Sequence, residues 1–158
     1  MKHLKLFEKF QFAKWEVELY DKLLNCFKNL FSQMGYSYTE YDDDYSIEFY
    51  KNSKYFFALT MKKGIVPYLV YAKSLANENE IKNFIPEYLK TIKGLKHLQT
   101  SIRPGQKESY HFSIVGFLYT SNDLEIIIDK IISQISLEDF ELKLKDYLLK
   151  KDAEKYNL

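Results

Sequence analysis

The sequence predicts a single α+β domain whose antiparallel sheet is covered by helices on one face, and three observations carry that expectation. Apolar residues recur at three- and four-residue steps in the first 34 positions and again after position 121, while the stretch 36–73 has a strand-like period and composition. Short polar breaks divide that stretch, as hairpin turns do. Helical and strand-like segments are also grouped rather than strictly alternating, which argues against a doubly wound parallel sheet.

Phe12, Trp15, Leu19, Leu23, Phe27, Leu30, Phe31 and Met34 mark one helical stripe. They predict a long N-terminal helix over 7–34, about 25 residues and roughly 40 Å long. Gly35 stands where a left-handed cap is needed. The next segment breaks at Asp42-Asp43-Asp44, Lys51-Asn52-Ser53-Lys54 and Lys62-Lys63-Gly64. A meander of three or four strands follows, at 36–41, 45–50, 55–61 and 65–73. In its second strand Tyr45, Ile47 and Phe49 share one face and Ser46, Glu48 and Tyr50 the other, so only one side of the sheet is expected to be covered.

Asn77-Glu78-Asn79-Glu80 reads as a capping box, with Ile81, Phe84, Ile85, Tyr88, Leu89 and Ile92 continuing at helical spacing and Pro86 set to kink or restart that helix. The run 98–102, the Arg103-Pro104-Gly105 turn and the apolar run 110–119 read as a later hairpin. Asn122-Asp123-Leu124-Glu125 repeats the capping-box pattern and opens a helix through Ile127, Ile128, Ile131 and Ile135. Ser136 then caps a second C-terminal helix striped by Phe140, Leu144, Tyr147 and Leu148, with 150–158 expected as a frayed, charged tail. No repeat or linker divides residues 1–158.

Composition narrows the mechanisms. Of the 23 Lys and Arg residues only Arg103 is an arginine, so recognition by a cluster of rigid bidentate forks is ruled out. A genome rich in A/T codons produces that bias without selection on chemistry, and Arg103 alone stays a candidate contact. Net charge is +1, which gives no bulk attraction to nucleic acid or to an anionic membrane. The single Cys26 lies in an apolar helical pattern and forms no internal disulfide, pointing to a reducing compartment. No apolar run has the length of a signal or a membrane span, so a soluble, cytoplasmic protein with no membrane partner is expected. Fourteen tyrosines suit half-buried sheet faces or an adhesive surface.

Charge is laid out in blocks. Residues 36–50 hold Glu40, Asp42, Asp43, Asp44 and Glu48 with no Lys, whereas 51–73 hold five Lys and no acid. Residues 90–107 hold Lys90, Lys93, Lys96, Arg103 and Lys107, again with no acid. Two readings stay open. Opposite blocks can satisfy each other across the sheet. Alternatively, Lys90, Lys93, Lys96, His97, Arg103 and Lys107, with His111 nearby, form a basic surface for phosphate or an acidic partner. On a helix, Lys90, Lys93 and Lys96 or His97 would project to one side. Asp42, Asp43 and Asp44 at a hairpin tip form the opposite pole, suited to a basic groove on a larger protein.

No phosphate-binding glycine loop, paired-cysteine metal motif, serine elbow or His-x-x-x-His pair is present, so no catalytic residue, cofactor or metal is expected. The order helix, three strands, helix, strand resembles the core of restriction-endonuclease-like nucleases, which hold a metal with an Asp on one strand and an acid-x-Lys on the next. Asp44 matches the first acid, but the next strand reads Thr60-Met61-Lys62, and Glu48-Phe49-Tyr50-Lys51 has one residue too many. The motif is broken. The order helix, three strands, helix, two strands, helix is similar to type III secretion chaperones, which implies partner binding along an exposed sheet or helix face and dimerisation. The extra C-terminal helix departs from that fold.

The expectation is therefore a non-catalytic binding protein acting as an inhibitor or adaptor of a larger protein or ribonucleoprotein. A phage or mobile-element inhibitor of a nuclease or RNA-guided defence complex would fit the size and charge layout. The alternatives are a lysine-patch RNA or DNA binder, a chaperone-like protein and a degenerate metal nuclease.

Overall fold

A computed structural model describes residues 14–41, 45–63, 67–76, 79–102, 107–114 and 121–156. The chain runs α1 (Lys14–Gln33), β1 (Ser37–Tyr41), β2 (Ser46–Lys51), β3 (Lys54–Lys63), β4 (Pro67–Ser74), α2 (Glu80–Lys90), β5 (Leu95–Ile102), β6 (Lys107–Ile114), α3 (Ser121–Ser133) and α4 (Leu137–Lys155). All strand pairs are antiparallel, in the order β1-β2-β3-β4-β6-β5. This is the α+β architecture that the grouping of elements predicts. The strand order adds something the sequence does not show. After α2 the chain crosses to the far edge, and β6 then fills the gap beside β4.

The end of α1 shows how sequence fixes a boundary. Gly35 adopts φ +89°, Tyr36 N–H donates to the Phe31 carbonyl and Gly35 N–H to that of Ser32, each at 3.1 Å. This is the Schellman pattern, completed by the edge-on contact of the Phe31 and Tyr36 rings. Tyr20, Leu23, Leu24, Phe27, Leu30 and Phe31 form the buried stripe. Phe31 meets Phe49 of β2, Phe57 of β3 and Phe140 of α4 at ring separations of 5.2, 4.9 and 5.8 Å, so one side chain joins the sheet to two helices.

β2 follows the expected alternation, with Ile47 and Phe49 buried and Ser46, Glu48 and Tyr50 turned away. A bulge alters β3: Phe49 pairs with Phe57 but Tyr50 with Tyr55, leaving Phe56 extra. Phe56 consequently joins Phe57 on the helical side, where it packs on Tyr36, and Tyr55 is left on the other face with Tyr50.

Several boundaries differ from the sequence reading. The cap of α2 is Asn79, whose side chain accepts from Ile81 N–H at 2.7 Å, two residues beyond the expected Asn77. α2 ends at Lys90 instead of continuing to Ile92, and β5 begins at Leu95. Gly94 causes the early turn. Its φ is +105°, and a β-carbon there would stand 2.9 Å from Ile131 Cγ1 of α3. α3 already begins at Ser121, so Asn122 lies inside the helix. Ser136 caps α4 as expected, accepting from Asp139 N–H at 3.1 Å, and α4 stays helical to Lys155 across most of the tail expected to fray. Residues 1–13 and 115–120, on which the helix start and the end of the 110–119 run fall, lie outside the described residues.

Pro86 neither breaks α2 nor restarts it. Its missing N–H would orphan the carbonyl of Lys82, four residues back. The buried Tyr71 hydroxyl of β4 donates to that carbonyl at 2.7 Å. A double-mutant cycle tests this substitution of one donor for another. Tyr71→Phe should cost about 1–2 kcal/mol in urea unfolding. In a Pro86→Ala background, where residue 86 regains its N–H, the cost should fall by at least about 0.5 kcal/mol; an equal cost in both backgrounds would refute the arrangement.

Candidate functional site

Among the described residues, the helices pack on one face of the sheet. Ala58 and Val70 are buried but stand outside the hydrophobic core cluster, because their strand positions point the other way. That second face has two registered rows. One runs Tyr41, Ser46, Thr60, Val70, His111, and the next Thr39, Glu48, Ala58, Ala72, Ser109. Small residues in the centre leave the rings at its ends half-buried.

At one end Tyr50 donates to Glu48 Oε2 at 3.1 Å, and its ring meets Tyr55 edge-on at 6.0 Å. Tyr55 in turn donates to the Ala72 carbonyl at 3.3 Å. Hydrogen bonding to Glu48 raises the Tyr41 hydroxyl above its ordinary value, and burial followed by Glu48 raises Tyr50 and Tyr55. These phenols stay neutral donors. At the other end Tyr68 stacks on His111 at 5.7 Å and 19°, beside the exposed Lys62. Burial, then the charges of Lys62 and His97, hold His111 below the usual histidine range. His111 therefore presents a neutral ring at pH 7.

Among the described residues, the charge blocks do not cancel across the ladder. Glu48 stands opposite Thr39 and Ala58, and Lys51 stands opposite Lys54. Glu40 points to the helical side and pairs with Lys28 of α1 at 2.9 Å. The described acids of β1 and β2 and the described lysines of β2 and β3 thus form no pairs with one another.

The basic block from 90 to 107 is spread over three elements, because α2 stops at Lys90 and the Gly94 turn starts a strand. No common helix carries Lys90, Lys93 and Lys96. Lys90 closes α2 and pairs with Glu87 at 3.1 Å. Lys93 lies in the turn with its side chain exposed, while the Gln134 amide clasps its main chain: Lys93 N–H donates to Oε1, and Nε2 donates to the Lys93 carbonyl, both at 2.8 Å. Lys96 is exposed opposite Ser113, on the open face. His97 points the other way and packs on Phe112 at 5.3 Å. Among the described residues its buried Nε2 has no hydrogen-bond partner, and burial, then the Lys90 charge, lowers its pKa. Lys107 opens β6 opposite Ser74. Arg103, Asp42, Asp43 and Asp44 lie outside the described residues.

Two lysines missed as structural residues are buried. Lys73 forms an ion pair with Glu108 Oε2 at 3.2 Å and donates to Asn83 Oδ1, while Tyr110 donates to Glu108 Oε1 at 2.6 Å. Lys82 donates to the carbonyls of Ser74 and Ala76 and lies 5.3 Å from the Phe56 ring centre. Lys73 therefore leaves the surface count of the basic block 51–73. Periodicity held a signal: Lys73 continues the inward row Leu69, Tyr71 on β4, and Lys82 shares the face of Ile85 and Leu89 on α2.

Among the described residues no three His, Cys, Asp or Glu side chains are grouped to hold a metal ion, and no helix is long and apolar enough to cross a membrane. Cys26 is half-buried, and burial raises its thiol pKa. No family model matches the chain, and no match was found among curated proteins or solved structures.

Burial pushes the Glu108 carboxyl up, but the hydrogen bonds from Tyr110 and Lys73 and the Lys73 charge outweigh it and hold the pKa below the usual value. A lowered carboxyl contributes stability above its unfolded pKa and loses it as pH falls through the folded value. Glu108→Gln should therefore cost about 1–3 kcal/mol at pH 7, because it removes the carboxylate that pairs with the buried Lys73 ammonium. Urea unfolding should show the gap to wild type closing below about pH 4.5; a gap independent of pH would contradict the pairing.

Proposed function

We propose that this chain is a non-catalytic binding protein, an inhibitor or adaptor that docks on a larger protein or ribonucleoprotein through the open face of its sheet. One observation carries the reading. Among the described residues no helix covers this sheet face, which presents Tyr41, Tyr50, Tyr55 and Tyr68 with Glu48 at one end and Lys62, Lys96 and His111 toward the other. Tyrosines supply large contact area at low entropic cost, and charges left separate at the two ends set the orientation of an approaching partner. The acidic run Asp42 to Asp44 follows β1 in sequence and suits a basic groove of the kind a nuclease or RNA-guided complex presents.

The lysine-patch reading for RNA or DNA gains less support. Lys90 is paired with Glu87, and Lys93 and Lys96 extend from different elements. Phosphate binding without an arginine fork would rest on scattered point charges and fall steeply with salt.

Affinity capture from the native lysate, with and without nuclease, separates the two. The expected result is one stoichiometric protein that survives nuclease treatment. Its recovery should fall at least about tenfold for Glu48→Lys combined with Tyr68→Ala, a loss typical of central interface residues, and stay unchanged for Lys90→Glu with Lys93→Glu. Recovery that requires nucleic acid and is lost with the lysine variants would replace this reading with the lysine patch.

A further inference from the structure

α4 is the least covered of the described helices. Phe140 is its one fully buried side chain, and with the half-buried Tyr147 it packs on Phe84 of α2. On the side away from this contact, Leu142, Leu149 and Tyr156 recur at seven-residue steps and are 60%, 58% and 64% exposed. Beside that stripe runs an apolar groove of about 330 Å³ lined by Glu141, Leu144, Lys145, Leu148, Leu149 and Asp152. These positions form two overlapping diamonds with i, i+3, i+4, i+7 spacing, 141/144/145/148 and 145/148/149/152. Such a four-cornered hollow receives a side chain from a facing helix.

The charges around the groove identify the occupant. Among the described residues Glu141, Lys145 and Asp152 enter no ion pair within the chain. A second α4 laid parallel would set each of them against its own like. Laid antiparallel about a two-fold axis between Leu148 and Leu149, it sets Lys145 opposite Asp152 of the other copy and Glu141 next to Lys155. Leu148 then meets Leu149 across the axis. The Lys145–Asp152 contact is then made twice, related by the two-fold axis, as an isologous interface requires.

We infer that α4 is a self-association surface on which two copies of this chain pair antiparallel, with the Leu148–Leu149 apolar groove at the centre and Lys145–Asp152 pairs on either side. One helix pair makes a small interface, so the dimer is weak and its population depends on concentration. α4 packs on α2 in the helical layer, so pairing leaves both open sheet faces free and the dimer bivalent toward a partner.

Sedimentation equilibrium of the full chain from about 1 to about 200 μM, a range that brackets a small interface, tests the inference. Wild type should pass from monomer to dimer, and Leu149→Glu should remain monomeric with an unchanged circular dichroism spectrum, since Leu149 is mostly exposed. Lys145→Asp should weaken the dimer roughly tenfold by creating two like-charge contacts, and Lys145→Asp with Asp152→Lys should restore it to within about twofold by reversing both pairs. A monomeric wild type throughout, a dimer insensitive to Leu149→Glu or Lys145→Asp, or a double variant no stronger than the single one would overturn the inference.

Discussion

Helix α2 buries Phe84, Ile85, Tyr88 and Leu89 in the core, and the polar groups of one residue, Lys82, add the attachment that ties it to the end of β4. Its carbonyl, deprived of a helical donor by Pro86, accepts from Tyr71 of β4. Its ammonium donates to the carbonyls of Ser74 and Ala76, just where β4 ends. An unpaired ammonium at such a buried site would cost several kcal/mol, so these acceptors are a condition of the fold rather than an addition to it. Lys73 extends the same seam by joining Asn83 of α2 and Glu108 of β6.

From this seam the architecture propagates outward. α2 in turn supports α4, through Phe84 and Tyr88 against Phe140. α4 reaches the sheet core mainly through that shared aromatic cluster, in which Phe140 also touches Phe31. On the other side of the same strands, Ala72 sits back to back with Tyr71 and Lys73 in the middle of the open face. The polar seam on one face thus stands back to back with the tyrosine-edged surface on the other. The apolar and polar duties of β4 are separated by the two-residue period of a strand.

How much of this was legible in the sequence depended on whether a signal was local. Gly35 and Ser136 were readable because a helix cap is decided by the geometry of a few neighbouring residues. The alternation of β2 was readable because burial on one face imposes a period of two. Asn77 and Asn79 offered competing caps of the same chemistry, and only packing chooses between them. Gly94 forces a turn because α3, far away in sequence, presses Ile131 against it. The bulge at Phe56 and the insertion of β6 between β4 and β5 are likewise tertiary outcomes with no local marker. At the candidate site, the separation of charge into blocks was visible in the sequence, but the placement of Lys96 on the open face and His97 on the helical face required the strand register. Lys73 was counted with the basic block because residue type outweighed its inward position, and Lys82, on the buried face of α2, drew no reading at all.

The most direct test of the seam is amide hydrogen exchange on Lys82→Met, which keeps the length of the side chain and removes the ammonium. If Lys82 pins α2, the amides of α2 and α4 lose protection together while those of β2 and β3 keep wild-type rates, because the detached layer opens as one unit. Wild-type protection in α2, or an equal loss across all elements, would contradict the claim that this residue fixes the helical layer on the sheet.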